Sequence, residues 1–269
     1  MSSVPDKTQA DRTAADAADA LRDRLRVYYT RYYRDTLAIP GWRELVQVRL
    51  ADAASEGERL GRLERALDRP VRGLRLLNVG CGTGGFNVVA EAAGALTWGV
   101  DLDADAVAIA RARLPRERIA RAGAEALPFR SGSFHVVHCY STLEHVSDST
   151  MALREMVRAL RPKGMLYLHT PSRFGCFETH YKLFWIPGMP KWLGRTYLAA
   201  RGRPPAFLDT LSLTTMGECT GVLVSAGIRT IRVLEGDLNR RVGGRLWPLV
   251  RLYYRLARVR PSVELVAVR

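Results

Sequence analysis

Cysteine is scarce in this chain: Cys81, Cys139, Cys176 and Cys219 stand far apart in 269 residues, with no C-x-x-C pair. That spacing argues against a disulfide framework and a cysteine zinc site, and for a reducing, cytoplasmic setting. Lysine is nearly missing too. All but four of the 41 basic residues are arginine, against 27 acidic ones, for a net charge of +14. An arginine, alanine, leucine and glycine bias is what GC-rich coding produces, so part of that charge is compositional. The rest is either a solvated cationic surface or a field that draws phosphates, anionic lipids or acidic substrates. No apolar run approaches the ~20 residues needed to cross a bilayer. Residues 1–6 lack the basic start and apolar core of a secretory leader, so none is expected. Internal repeats are absent, and the only biased tract is the Ala/Asp-rich stretch 14–20. The length suits one large α/β domain with additions, able to bury a core without staples.

What is present centres on Leu76-Leu77-Asn78-Val79-Gly80-Cys81-Gly82-Thr83-Gly84-Gly85. An apolar strand, a glycine turn and an apolar helix from Phe86 would bring backbone N–H groups against a nucleotide-like ligand. Side chains at Gly80, Gly82 or Gly84 would block that approach. Gly80, Gly82 and Gly85 satisfy the dinucleotide G-x-G-x-x-G spacing. Gly80, Gly82 and Gly84 satisfy the G-x-G-x-G spacing used for S-adenosylmethionine (AdoMet), and the turn alone does not choose. A second strand ends at Asp101, about 20 residues past Gly80, the usual distance to a carboxylate that bonds ribose hydroxyls.

Further on come Leu127-Pro128-Phe129, the strand Phe134-His135-Val136-Val137-His138-Cys139-Tyr140, Leu143-Glu144-His145 and Leu160-Arg161-Pro162-Lys163-Gly164. In this order the motifs resemble the class I AdoMet-dependent methyltransferases, in particular the small-molecule branch with the ubiquinone-type enzymes. The resemblance is specific over about 70–170 and weaker beyond. It implies a Rossmann-like, doubly wound α/β fold with a seven-stranded sheet, N-terminal lid helices over 1–69 and an AdoMet-binding domain over 70–269. AdoMet is the implied cofactor. Its site would draw on Asn78, Gly80, Cys81, Gly82, Gly84, Asp101, Leu102, Ala124, Glu125 and Tyr140. Three positions depart from the family pattern. Asn78 replaces an acidic residue, Gly123-Ala124 replaces Asp-Ala before the L-P-F motif, and His135 replaces a strand aspartate. Asn78 can still accept one hydrogen bond at the amino-acid end of the cofactor, and Glu125 can substitute for the missing carboxylate at the adenine.

Strand and helix alternate from 74 to 169, which is the pattern of a parallel sheet covered on both faces. Residues 1–12 are polar and expected to lack structure. From Ala14 an apolar stripe at helical spacing runs to Tyr32, a second helix starts at Trp42 after Pro40-Gly41, and a third covers 58–67. Tyr28 and Tyr32 either line an acceptor pocket or pack an ordinary amphipathic helix. The proline-broken, aromatic segment 171–213 is an insertion after the fifth strand. It holds Tyr181 as a candidate acceptor contact; the alternative is a second core under a long loop. Thr215 and Glu218 form a capping box for a helix ending at Gly227.

Methyl transfer from a sulfonium needs alignment and exclusion of water rather than a metal, and none is expected. His145, just past the fourth strand, is the first candidate base for a hydroxyl acceptor, and His180 the second; either can instead be a structural donor. The reading is therefore a methyltransferase acting on a small, apolar or lipid-like acceptor by O-methylation, with C- or N-methylation as alternatives. An RNA methyltransferase is the less favoured alternative, because no Asn/Asp-Pro-Pro-Tyr motif follows the fourth strand. A helix from Pro248 to Arg258, with Arg251, Arg255 and Arg258 near Arg240, Arg241 and Arg245, either meets an anionic membrane surface peripherally or packs on the enzyme with its arginines in water.

Overall fold

The computed structural model describes residues 7–234 and 246–269. Three helices come first: α1 (Lys7–Thr30), running on through a π-helical turn at Arg31–Thr36, then α2 (Trp42–Leu50) and α3 (Asp52–Leu67). The alternating part follows as β1 (Arg75–Val79), α4 (Gly85–Ala92), β2 (Leu96–Asp101), α5 (Ala104–Arg113), β3 (Ile119–Arg121), β4 (Phe134–Tyr140), α6 (Ser149–Ala159) and β5 (Leu160–Pro171). After β5 come a small hairpin of β6 (Phe177–Glu178) and β7 (Leu183–Phe184), then α7 (Lys191–Ala200) and α8 (Ala206–Asp209). The chain closes with α9 (Met216–Ser225), β8 (Thr230–Val233), α10 (Trp247–Ala257) and β9 (Ser262–Val268).

Seven strands form one sheet in the order β3-β2-β1-β4-β5-β9-β8. β9 runs antiparallel to both β5 and β8, and the pairings from β3 to β5 are parallel. Side-chain alternation sends Leu77, Val79, Val137, Cys139, Leu166 and Leu168 to one face, against α6 and α9. It sends Leu76, Val136 and Tyr167 to the other, against α3 and α4. Strands buried on both faces read as continuous apolar runs, which is why the sequence located them. Caps fix the helix starts. Asp103 accepts from the N–H groups of Asp105 and Ala106, Asp148 accepts from Met151 N–H, and Thr215 with Glu218 forms the expected capping box.

Two helix starts differ from the sequence reading. α1 begins at Lys7, inside the segment expected to lack structure, and α3 begins at Asp52 rather than 58. The first turn of α1 is polar (Lys7-Thr8-Gln9-Ala10) and that of α3 holds Ala53 and Ala54, so neither carries an apolar stripe to reveal the helix. Residues 1–6, and Arg240, Arg241 and Arg245, lie outside the described residues.

The insertion and the N-terminal helices share a core. Tyr33, Leu37, Ile39 and Val46 pack with Tyr181, Trp185, Leu198 and Leu208, and Arg203 donates to the Ala38 carbonyl. Tyr181 is fully buried there, its hydroxyl donating to Pro204 O at 2.7 Å. This corrects its reading as an acceptor contact: the ring is core, and its polar tip is already paired.

Candidate active site

The glycine turn follows β1, and its three alternate glycines differ in what surrounds them. Gly80, Gly82 and Gly84 all have positive φ, at +73°, +53° and +80°. A Cβ on Gly80 would lie 2.1 Å from Thr142 Oγ1, and one on Gly84 2.9 Å from Leu114 Cδ1. Gly82 has nothing within 4 Å. Gly80 and Gly84 are therefore demanded by packing, whereas Gly82 opens on free space. That space is a cavity of about 290 Å³ reaching from the turn to Tyr28, Tyr29, Tyr32, Arg59 and His138. Gly80, Cys81, Gly82 and Tyr140 line it, and Gly85 does so in place of Gly84, which is turned against α5.

The contrast predicts two different mutant phenotypes. Gly80→Ala should lower stability by roughly 2–4 kcal/mol, because Thr142 is fixed by bonds to Val79 O and Tyr140 O and cannot yield. Gly82→Ala should cost only about 1–2 kcal/mol for a positive φ yet weaken nucleoside binding at least tenfold. Thermal unfolding together with S-adenosylhomocysteine titration separates the two; equal losses of both kinds would refute the distinction.

Asp101 ends β2 and holds the turn from the side. Its Oδ2 accepts from Gly82 N–H at 2.8 Å and its Oδ1 from Asp103 N–H at 2.9 Å. Burial pushes its carboxyl up from the ordinary range, against the downward pull of those N–H groups. α1 lies across the same edge. Tyr29 Oη pairs with Thr83 Oγ1 at 2.9 Å, and the Arg31 guanidinium donates to Asp105 at 2.7 Å. Leu102, next to Asp101, is 68% exposed.

Asn78 lines the cavity, with both ends of its amide already engaged once. Asn87 Nδ2 donates to Trp98 O, so Asn87 Oδ1 accepts from Asn78 Nδ2 at 2.7 Å. Asn78 Oδ1, 2.9 Å from His138 Nδ1, must then accept from it. The network thus puts the His138 proton on Nδ1 and leaves Nε2 a bare acceptor, consistent with burial pushing this imidazole well below its ordinary pKa. The ring is clasped between Phe86 and Tyr167, with near-parallel planes at 4.0 and 5.5 Å. His138 Nε2 has no partner among the described residues although it is buried beside the cavity. Glu125 departs from expectation as well. Its Oε1 accepts from Ser147 N–H and Oγ–H, both at 2.9 Å, and from Asp148 N–H, bracing the start of α6 rather than reaching an adenine. Ala124 is buried. His135, the third departure, accepts the Arg75 N–H through Nδ1.

Past β4, a second polar cluster joins the sheet edge to the insertion. Glu178 Oε1 lies 2.7 Å from His180 Nδ1, and its Oε2 accepts the Tyr181 N–H. On the far side His180 Nε2 is 3.8 Å from Glu144 Oε1. Glu144 is fully buried; its Oε2 accepts from Thr170 Oγ1 at 2.8 Å while Oε1 is unpartnered. Burial pushes the Glu144 carboxyl up. His145 meets His180 edge to face at 5.0 Å and keeps one side in solvent, while burial and the adjacent His180 lower its pKa. Phe207 touches both histidines and also Tyr32, at 5.3 to 5.9 Å, so Tyr32 links this cluster to the glycine-turn cavity. Glu144, His145 and His180 offer ligand atoms within 4.8 Å of one another, a carboxylate and two imidazoles that a transition metal could also take. The sequence missed His138 and Arg59, since nothing local marks which distant side chains converge.

Residues 77–168 match the family described as "Methyltransferase domain". A probable S-adenosylmethionine-dependent methyltransferase of Mycobacterium tuberculosis is 37% identical over 99 residues, 36% of each chain. A ubiquinone biosynthesis O-methyltransferase of Aromatoleum aromaticum is 33% identical over 106 residues, 38% of this chain and 45% of the relative. These matches span less than half of the relatives' length. Among solved structures, an S-adenosylmethionine dependent methyltransferase from Mesorhizobium loti superposes with a TM-score of 0.54 at 23% identity, over 77% of this chain and 96% of that one. At that identity the likeness is one of fold. The N-terminal helices and the insertion, which supply Tyr32, His180 and Phe207, lie outside the residues matched to the family.

Proposed function

We propose that this chain, a member of the class I AdoMet-dependent methyltransferases, methylates a hydroxyl of a small apolar or lipid-like acceptor. The residues of the turn fit the cofactor. Gly82 leaves room for it, Asp101 has lone pairs for ribose hydroxyls, and exposed Leu102 can be covered by a base. The unpartnered His138 Nε2 can accept from an ammonium group beside Asn78, and Arg59 can face a carboxylate. AdoMet, when bound, supplies a methyl group already activated by its positive sulfur.

The chain's own task is to place and deprotonate the acceptor. The observation that carries this reading is the fixed tautomer of His180. With Nδ1–H donated to Glu178, Nε2 keeps its lone pair and lies 3.8 Å from Glu144 Oε1, beside Phe207. As the acceptor hydroxyl takes the methyl group that AdoMet would supply, its proton would pass to His180 Nε2. His145 lacks an orienting carboxylate and serves better as a wall, with Phe207 and Tyr32 supplying apolar surface. A phenol bearing an alkyl chain and methyl-labelled AdoMet test the assignment. An O-methyl ether should form, and label found on carbon or nitrogen instead would move the reading to the alternative reactions.

A further inference from the structure

α10 carries two apolar stripes, and the protein uses only one of them. Its inner side is filled: Val250 and Tyr254 are buried against Cys176, and Tyr254 Oη accepts the Cys176 N–H at 2.7 Å. Tyr253 adds a bond to Phe174 O at 3.4 Å. This inner stripe meets the expectation that the helix packs on the enzyme. A different stripe faces solvent. Leu249, Leu252 and Leu256, spaced three and four residues apart on one side, are 64%, 49% and 72% exposed. Leu246, just before the helix, is 47% exposed.

Isolated exposed leucines are ordinary, but three on one helical stripe form a continuous apolar ridge. Charge says what the ridge meets. Arg251 and Arg255 are exposed on the same helix, Arg258 follows it, and no carboxylate occurs from 246 to 263. Leucines on one side of an outward face with arginines beside them, on a chain of net charge +14, complement an acidic headgroup layer over an acyl boundary. A second copy of so basic a surface would instead repel it.

We infer that α10 docks the protein on an anionic lipid surface, with Leu249, Leu252 and Leu256 entering the acyl boundary and Arg251 and Arg255 on headgroup phosphates. The inference does not rest on the methyl-transfer reading, because binding to vesicles is measured without turnover. The full chain is co-sedimented with phosphatidylcholine vesicles, with or without phosphatidylglycerol, at low and high salt. Anionic vesicles should take up the wild type at least tenfold better than neutral ones, and high salt should release most of it. Each arginine contributes roughly fivefold near an acidic bilayer, so Arg251→Glu/Arg255→Glu should reduce binding more than tenfold. Leu249→Ser/Leu252→Ser/Leu256→Ser should do the same with its melting transition intact, since these side chains are largely exposed. Wild-type protein left in the supernatant would overturn the proposal. So would a leucine variant that pellets like the wild type, which would mark adsorption by net charge alone. Sedimentation equilibrium without vesicles covers the remaining case: a wild-type dimer that the leucine substitutions dissolve would make the ridge an interface between copies and overturn lipid docking.

Discussion

His180→Gln should lower kcat by ~10²–10⁴, the usual contribution of a positioned general base, while leaving cofactor affinity within about twofold. Glutamine keeps a donor for Glu178 Oε1 and about the same volume beside Phe207, so folding should survive. His145→Gln should cost less, because no carboxylate orients that ring. Glu178→Gln supplies the internal check. It leaves His180 in place but removes the carboxylate that fixes its tautomer, so kcat should fall by an intermediate amount with KM little changed. Turnover measured with and without a chelator covers the other use of the same atoms. If chelation abolishes activity and a divalent ion restores it, Glu144, His145 and His180 act as ligands rather than His180 as a base.

The second large effect belongs to Asp101. Asp101→Ala should weaken AdoMet binding roughly 10- to 100-fold, the equivalent of one or two charge-assisted hydrogen bonds. Two causes mix in that variant, because the carboxylate also receives the N–H groups of Gly82 and Asp103. Asp101→Asn separates them: it keeps one carbonyl acceptor for the turn while giving up the charge. A loss shared by both variants belongs to the ribose contact, and a loss confined to alanine belongs to the turn. The pH dependence has a definite sign. Burial raises the Asp101 pKa, and binding needs the ionised form, so affinity should fall with decreasing pH at values above the ordinary carboxylate range. In Asp101→Asn that dependence should vanish.

The parts of this site that were legible in the sequence are those built from neighbours in the chain. The strand–turn–helix around Gly80, the position of Asp101 and the Thr215–Glu218 capping box depend on residues a few positions apart or on a spacing set by one strand–helix unit. The sheet was legible for a related reason, since strands covered on both faces must be apolar throughout. The failures are contacts between distant segments. Nothing near Asn78 reveals that Asn87 and His138 engage both ends of its amide. Nothing near Glu125 reveals that Ser147 and Asp148 will take its carboxylate. Gly84 and Gly85 are adjacent letters, and only the approach of Leu114 decides which one faces the cavity. Tyr181 illustrates the limit of composition. An aromatic residue in a long insertion can line a pocket or fill a core, and its burial with Tyr33 and Leu37 is a tertiary fact. The pairing of Glu178 with His180 was local enough to be seen, two residues apart, yet its meaning depends on Glu144 arriving from the end of β4.

Calorimetric titration of the wild-type chain with AdoMet, and separately with NAD, tests the central claim most directly. Gly80, Gly82 and Gly85 all line the cavity, so the dinucleotide spacing has a structural counterpart and the comparison is a real contest. The account predicts one AdoMet per chain, displaced by S-adenosylhomocysteine and weakened by Gly82→Ala, with no heat from NAD. Saturable NAD binding that Gly82→Ala abolishes, with AdoMet silent, would contradict it.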